Sequence, residues 1–376
     1  MSIDTTSSQA PPVEGPTKEL RDYLAKAMPG FRAEWGEAES FEAQFAWHKL
    51  LNAGGWAAPS WPVQYGGRGL GTIDRIACDA ELARVDAPMA AGAIALQNIG
   101  PALMMFGTEE QKKSLPHILS GEEFWAQGFS EPGAGSDLAA LTMRAELVGG
   151  EFVLNGQKVW TSNGMQSTHA LLLVRTDRDA PKHEGISALL VELDSTGIER
   201  RPIKQINGES GFAEMFFHEV RVPEKNLLGP LNQGWLVTMK TLGYERTGVI
   251  NMATKLERDV REVVENAGVT DPILRDELVG HWMDARLVGL MGARALAKLK
   301  EGEEPGPEQS IIKFGWSLVT SRLSETEMKV SGDHALLAGD RGTKRFLRSR
   351  SATIAAGTTE VMKNILAERV LGLPRD

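Results

Sequence analysis

The chain has 376 residues, 42% hydrophobic and 24% charged, which is the make-up of a globular protein with room for about two or three domains. Its formal net charge is −9, which speaks against nucleic acid as the principal partner, since phosphate backbones are met by a basic face. A local pocket for one phosphorylated ligand stays open. The single cysteine, Cys78, excludes an internal disulfide and a cysteine-ligated metal cluster, and points to a reducing compartment.

Residues 1–16 read as a flexible tail. They are polar and rich in Ser, Thr and Pro, and lack the apolar stretch of a signal peptide. No apolar run reaches the length of a bilayer span, so a cytoplasmic location is the default expectation.

From 17 to 122 the pattern predicts an N-terminal helical domain. Leu20, Tyr23, Leu24 and Met28 share one helix face; Ile76, Leu82, Ala83 and Val85 belong to a second amphipathic stretch, and Ala102–Met105 begins a third. The Gly- and Pro-rich connection GGWAAPSWPVQYGGRGLG (54–71) reads as an ordered loop. From 123 to 230 the period shortens. EFVLNGQKVWTS, HALLLVRTD, GISALLVEL and AEMFFHEVRVP are β-type runs, and Asn155-Gly156 reads as a hairpin turn between two of them, giving a middle antiparallel β domain. From 231 to 376 the pattern is helical again: Gly234–Asn266 nearly continuous, then Asp271–Lys300, then Ser310–Lys329 capped by PGPEQ (305–309), and finally Thr358–Val370 with Thr358 or Thr359 as N-cap. Long antiparallel helices suggest a four-helix-bundle-like domain. The fold class is therefore α+β, mostly α.

The common cofactor and catalytic fingerprints are missing. There is no GxGxxG after a strand, no P-loop, no HExxH, no CxxC and no GxSxG elbow, and the seven histidines are scattered. One segment stands out, QGFSEPGAGSD (127–137). Gly133, Gly135 and Ser136 let backbone N–H groups and a hydroxyl approach an anion such as a pyrophosphate. The competing reading is a tight turn with Asp137 capping a following helix.

This segment resembles the signature of the acyl-CoA dehydrogenase family. Further matched blocks follow in family order: the NxGxxL…GTEEQK…LPxIL-like stretch (98–119), NGQKVWTSNG (155–164) and FLRS…TIAAGTTEVMKNILAERVLG (346–372). The resemblance runs from about Leu51 to the C-terminus. It implies FAD as cofactor, acyl-CoA as substrate, electron-transfer flavoprotein as electron acceptor, and a dimeric or tetrameric assembly. It places Gln127, Phe129 and Ser130 along the flavin, Ser130 near its N5 edge, and Gly135 and Ser136 at the pyrophosphate and thioester. Trp160 would cover the ring, or serve as a core aromatic of the sheet, or both. Ser162 would lie near N5, while Thr358, Thr359 and Glu360 resemble the flavin-contacting turn. Glu131 reads as a structural acceptor rather than a catalyst.

Desaturating an acyl thioester needs a base for the α-proton and a polarised carbonyl. In many family members the base is a glutamate just before the Gly-Thr of the C-terminal motif. Here that position is Ala356, in Ala355-Ala356-Gly357-Thr358-Thr359-Glu360. Another branch, the long-chain and isovaleryl type, carries its base on a distant helix, and Tyr244-Glu245-Arg246 stands at the matching place. Leu242, Glu245, Val249, Met252 and Leu256 fall on one helix face by spacing alone. A carboxylate on an apolar stripe is either paired, for instance by Arg286, or functional. By resemblance Glu245 is the base, Arg246 and Tyr244 lie along the substrate with Ser136 and Gly357, and the Ala356 backbone N–H meets the thioester oxygen.

A second departure concerns assembly. The Arg and Phe-Gly that many members extend to a neighbouring subunit's flavin are not found; the region reads LERDVREVVENAGVTDPILRDEL (256–278). Some bacterial relatives build each flavin site from two different chains. The expectation is thus FAD-dependent α,β-dehydrogenation of an acyl-CoA. The first alternative is a partner subunit of a hetero-oligomer with little activity alone. The second is a relative using the fold for other flavin chemistry, against which Glu245 counts.

Overall fold

Consecutive glycines, Gly149 and Gly150, both hold positive φ (62° and 83°) and turn the chain between the first long strands of the central sheet. The structure is a computed structural model that describes residues 15–36, 40–245, 248–303, 306–337 and 339–375; the side chains of 242–245, 248–251 and 308 lie outside that description. Most of the expected tail falls outside the described residues. These residues separate into two compact units that meet in sequence at Ala91 and Gly92.

In the first unit the apolar face of α1 (Pro16–Trp35) carries the buried side chains Leu20, Leu24, Met28 and Phe31. α1 packs on α2 (Phe41–Ala53) and α3 (Thr72–Arg84). Ser40 caps α2 by accepting the Ala43 N–H at 3.2 Å. The 54–71 connection is ordered, as its composition implies: Trp56 and Trp61 are buried, and Arg68 stacks 3.6 Å over Trp56 while donating to the carbonyls of Gly54 and Gly55. Glu81 is buried between Arg21 (2.6 Å) and Arg84 (2.9 Å), which makes it a packing carboxylate.

The second unit opens with α4 (Gly100–Phe106), preceded by a π-helical turn at Ala95–Ile99, and α5 (Ser114–Ser120). Then come β1 (Trp125–Gly128), β2 (Arg144–Val148), β3 (Glu151–Ser162), β4 (His169–Arg175), β5 (Ile186–Glu192), β6 (Ile198–Ile203), β7 (Phe212–Pro223) and β8 (Leu227–Leu228). The sheet order is β6-β7-β3-β2-β4-β5-β8, with β1 beside β4. Pairing is antiparallel except that β4 runs parallel to β1 and to the end of β2. Met143, Phe152, Leu154, Leu172, Leu189, Met215 and Phe217 form its buried face.

The expected hairpin at Asn155-Gly156 is not there. β3 runs straight through it, and the pair forms an irregularity in the register with β7. The reversal occurs at Gly149-Gly150, where no side chain opposes positive φ at either position. Gly156 serves a different need: a Cβ there would fall 2.8–2.9 Å from Met143, including its Cα.

The C-terminal helices are α6 (Gly234–Glu245), α7 (Gly248–Asn266), α8 (Pro272–Lys300), α9 (Ser310–Ser331), α10 (Arg341–Ser349) and α11 (Thr359–Ile365), the last continued by a π turn to Val370. Thr358 caps α11 as expected, and Asp271 caps α8 by accepting the Ile273 N–H. α10 was not foreseen as a helix. The helix expected to run through Gly234–Asn266 is described as two, α6 and α7, with Arg246 and Thr247 between them outside the described residues. α9 packs against α7, α8, α10 and α11. Gly156→Ala is expected to lower stability by about 1–3 kcal/mol through the Met143 clash and the φ of 149°, read as the shift in urea midpoint.

Candidate functional site

Beyond Gly128 the chain leaves β1 and folds into the turn 129–137, which is clamped to the sheet by a buried ion pair. Lys158 of β3, its side chain wholly buried, meets Glu131 at 2.8 Å. Glu131 also accepts from the Thr142 N–H (2.7 Å), the Thr142 hydroxyl (2.9 Å) and the Met143 N–H (2.9 Å). Lys158 spends a second N–H on the Phe129 carbonyl at 3.1 Å, and the Val159 N–H donates to the Ser130 carbonyl at 2.9 Å. Phe129 and Ser130 are thereby fixed beside the end of β3. Glu131 has the structural role its place in the turn suggested.

The electrostatics follow from burial. Burial alone would raise the Glu131 carboxyl, but Lys158 and the two backbone N–H groups outweigh it and hold the group below the usual carboxylate range. Burial pushes the Lys158 ammonium down to about 8, opposed by Glu131.

The far end of the loop is held separately. Arg175 donates to the carbonyls of Ala139 (2.7 Å) and Leu141 (3.3 Å). Asp137 does not cap the short 3-10 turn Leu138–Ala140; its carboxylate pairs with Lys182 instead. The tight turn of the competing reading is present, closed by the paired Glu131 and Ala134 backbones at 3.0 Å, but its Asp137 cap is not. Gly135 and Ser136 are exposed, and a Cβ at Gly133 or Gly135 would meet nothing within 4 Å, so this rim has open space for a ligand.

Trp160 is not a core aromatic. The β3 register slips between Lys158 and Thr161, Trp160 takes φ +59°, and its side chain is 57% exposed, edge-on to Phe212 at 5.9 Å. Residues in this left-handed region away from glycine are uncommon and often sit at ligand sites. Ser162 closes the same strand, half-buried.

Gln127 adds a polar signal. Its Oε1 accepts from Asn98 Nδ2 at 3.2 Å, yet Gln127 Nε2 and Asn98 Oδ1 are buried with no partner among the described residues. Unpaired buried amide groups ask for an occupant. Asn98 lies in the π-helical turn 95–99, a local irregularity common at functional sites. Sequence reasoning missed Asn98 and Lys158 as parts of this site. A signal for Lys158 was available: a lysine at an inward position of an alternating strand needs a carboxylate, although Glu131 lies 27 residues away in a different block.

The C-terminal turn is a second element. Ala356 takes φ +53° and Gly357 φ +94°; Ala356 is exposed. Thr358 caps α11 by accepting the Val361 N–H at 3.2 Å, Thr359 is buried with its N–H on the Thr353 carbonyl at 3.0 Å, and Glu360 is exposed. Among the described residues no hydrogen bond or ring contact joins this turn to the 127–137 loop. α6 ends at Glu245, but the side chains of Tyr244 and Glu245 and all of Arg246 lie outside the described residues. Of the expected stripe, Leu256 is buried and Met252 half-buried. Arg286, considered as a neutralising partner for Glu245, pairs with Glu257 at 3.3 Å.

Family models match nearly the whole chain: acyl-CoA dehydrogenase N-terminal domain over residues 16–122, middle domain over 126–220 and C-terminal domain over 232–371. The chain belongs to the acyl-CoA dehydrogenase family, whose members are FAD-dependent flavoproteins. Acyl-CoA dehydrogenase IpdE1 of Mycobacterium tuberculosis is 39% identical over 374 residues, 95% of this chain and 96% of the relative. Among solved structures, Tcur3481-Tcur3483 steroid ACAD superposes with a TM-score of 0.85 at 30% identity, covering 96% of this chain and 97% of that one. The ChsE4-ChsE5 complex of M. tuberculosis gives 0.81 at 28%, covering 97% and 99%. The open glycine rim, the exposed Trp160 and the orphaned Gln127 amide fit a flavin bound along this edge.

Removing Lys158 leaves a buried carboxylate unpaired. Lys158→Met is expected to cost about 3–5 kcal/mol and to loosen FAD, and Glu131→Gln in the same chain should recover part of it. Thermal unfolding and flavin retention on gel filtration read both effects. Because the Glu131 carboxyl is held low, its contribution is full above the ordinary carboxylate range and is lost as pH falls through the depressed value. Glu131→Gln should therefore flatten the acid limb of stability against pH.

Proposed function

We propose that this chain carries out FAD-dependent α,β-dehydrogenation of a bulky, ring-bearing acyl-CoA to the 2-enoyl-CoA, with Glu245 as the α-proton base. The observation that supports it most is the clamped loop 129–136 beside the outward-turned Trp160, a rigid edge with an open rim. Bound FAD supplies the hydride acceptor. The residues of the chain do the rest. Gln127, Phe129 and Ser130 line the ring, and Trp160 and Ser162 lie over it. Gly135 and Ser136 approach pyrophosphate and thioester, while Thr358, Thr359 and Glu360 complete the flavin contacts. The Ala356 N–H, with Gly357, polarises the carbonyl, which acidifies the α-carbon. Glu245 removes the proton, and Tyr244 and Arg246 hold the CoA thioester. Electrons pass on to an electron-transfer flavoprotein. The ring-bearing acyl group is proposed from the similarity to the steroid ACAD and from the helix-borne base.

A hetero-oligomer is the second reading, favoured by a specific surface. Val279, Met283, Leu287 and Leu290 are exposed at helical spacing along α8, whose opposite face buries Leu278, His281, Ala285 and Val288. A sister acyl-CoA dehydrogenase chain would cover that apolar stripe and supply the flavin contact that residues 256–278 lack.

Anaerobic mixing with ring-bearing acyl-CoAs tests the first reading through bleaching of the flavin band. Glu245→Gln should bind substrate but bleach about 10²–10⁴-fold more slowly. Bleaching at the wild-type rate would remove Glu245 from its role. A chain that purifies colourless and takes up flavin only with a sister chain would establish the second reading.

A further inference from the structure

We infer that Lys313 is a positioning residue: from α9 it holds the turn that presents the Ala356 N–H to the thioester oxygen. The inference rests on the proposed role of that N–H.

Lys313 is 4% exposed, and its Nζ donates to the Ala352 carbonyl at 2.8 Å. Among the described residues no carboxylate pairs with it. An ammonium buried against one neutral carbonyl is poorly compensated, and burial lowers its proton affinity accordingly. A neutral or apolar residue would sit in α9 with less penalty, so the lysine is explained by what its head group holds.

What it holds is the base of a closed loop. The Ala352 N–H donates to the Ser349 carbonyl at 2.9 Å, at the end of α10. The Ser351 carbonyl accepts from Ile354 (3.0 Å) and Ala355 (2.9 Å). The Thr353 carbonyl accepts the Thr359 N–H at 3.0 Å, which ties the two ends of 353–359 together. Ala356 stands near the tip with φ +53°, followed by Gly357 at +94°. A non-glycine residue in the left-handed region persists only where its surroundings over-determine it. The Thr353–Thr359 bond closes the loop, but by itself leaves the closed loop free to tilt. Ser349 and Arg350 tie the end of α10 to α9 through Ser324 (2.8 Å) and the Ser321 carbonyl (3.2 Å), Lys313 adds the tie nearest the turn, and Lys363 of α11 lies 5.8 Å over the Phe314 ring of the same helix. On this inference Lys313, whose contact at Ala352 lies nearest the turn, governs the direction of the Ala356 N–H.

Paired ligands test this in the flavin-loaded oligomer. One is a β-thia acyl-CoA, which keeps the thioester carbonyl but carries no β-hydride. The other is the matching S-alkyl thioether of CoA, which lacks the carbonyl. Binding is read from perturbation of the flavin visible spectrum, without turnover. Wild type should prefer the thioester. Lys313→Met should shrink that preference by about threefold to tenfold, the worth of one misaligned hydrogen bond, and leave thioether affinity unchanged. A merely structural role would weaken both ligands alike. Lys313→Gln, too short to reach Ala352, is expected to behave the same way and serves if the Met variant does not fold. A full thioester preference in either folded variant overturns the assignment of Lys313. No carbonyl preference in wild type overturns both the N–H role and the inference built on it, so the two failures are told apart.

Discussion

An ammonium and a carboxylate, both out of reach of water and 2.8 Å apart, hold the middle of this protein in order. Lys158 belongs to a strand and Glu131 to a loop, so their attraction ties a flexible, glycine-bearing segment to a rigid sheet. Neither group tolerates burial alone, and each has further hydrogen bonds that complete its needs. With the loop held from beneath, its glycine rim is free to face outward. The strand then slips its register past Lys158 and turns Trp160 into solvent. The open outer surface is a consequence of what is buried under it.

The second element is built on a different principle. Among the described residues the turn at 353–359 has no buried ion pair; it is a closed backbone loop with left-handed geometry at Ala356, standing on a lysine from α9. A glutamate at 356 would place base and carbonyl donor on one residue. Alanine there separates them on this account: the backbone keeps the donor, and the proton acceptor moves to the end of α6. The chemistry then depends on α6 and the turn keeping their relative places, which favours anchoring both in the helical bundle. α9, at the centre of that bundle, is the natural anchor for the turn.

The order of helical and β regions was legible because hydrophobic period changes from 3.6 to 2 and back along the chain. The cap at Thr358 was legible because a threonine directly before an apolar-periodic stretch can accept the first free N–H groups. Asn155-Gly156 was misread because a strong dipeptide signal says that positive φ is tolerated, not that the chain reverses there. Gly149-Gly150 met the turn's demand, and Gly156 answers to the bulk of Met143. The exposure of Trp160 was not legible, since alternation along β3 assigns it a face that the register slip then changes. The loop's open, glycine-bearing rim was readable from its sequence, whereas what holds it was spread over Lys158, Thr142 and Met143, residues related only through the sheet.

The central claim is that Glu245 removes the α-proton although position 356 has lost its side chain. Proton exchange at the α-carbon tests it most directly. Flavin-loaded protein is incubated in deuterated water with a β-thia acyl-CoA, which can be deprotonated but cannot lose a hydride, and deuterium at the α-carbon is followed by mass spectrometry. The account predicts steady incorporation with wild type and none above the solution background with Glu245→Gln. Incorporation by Glu245→Gln at the wild-type rate would contradict it.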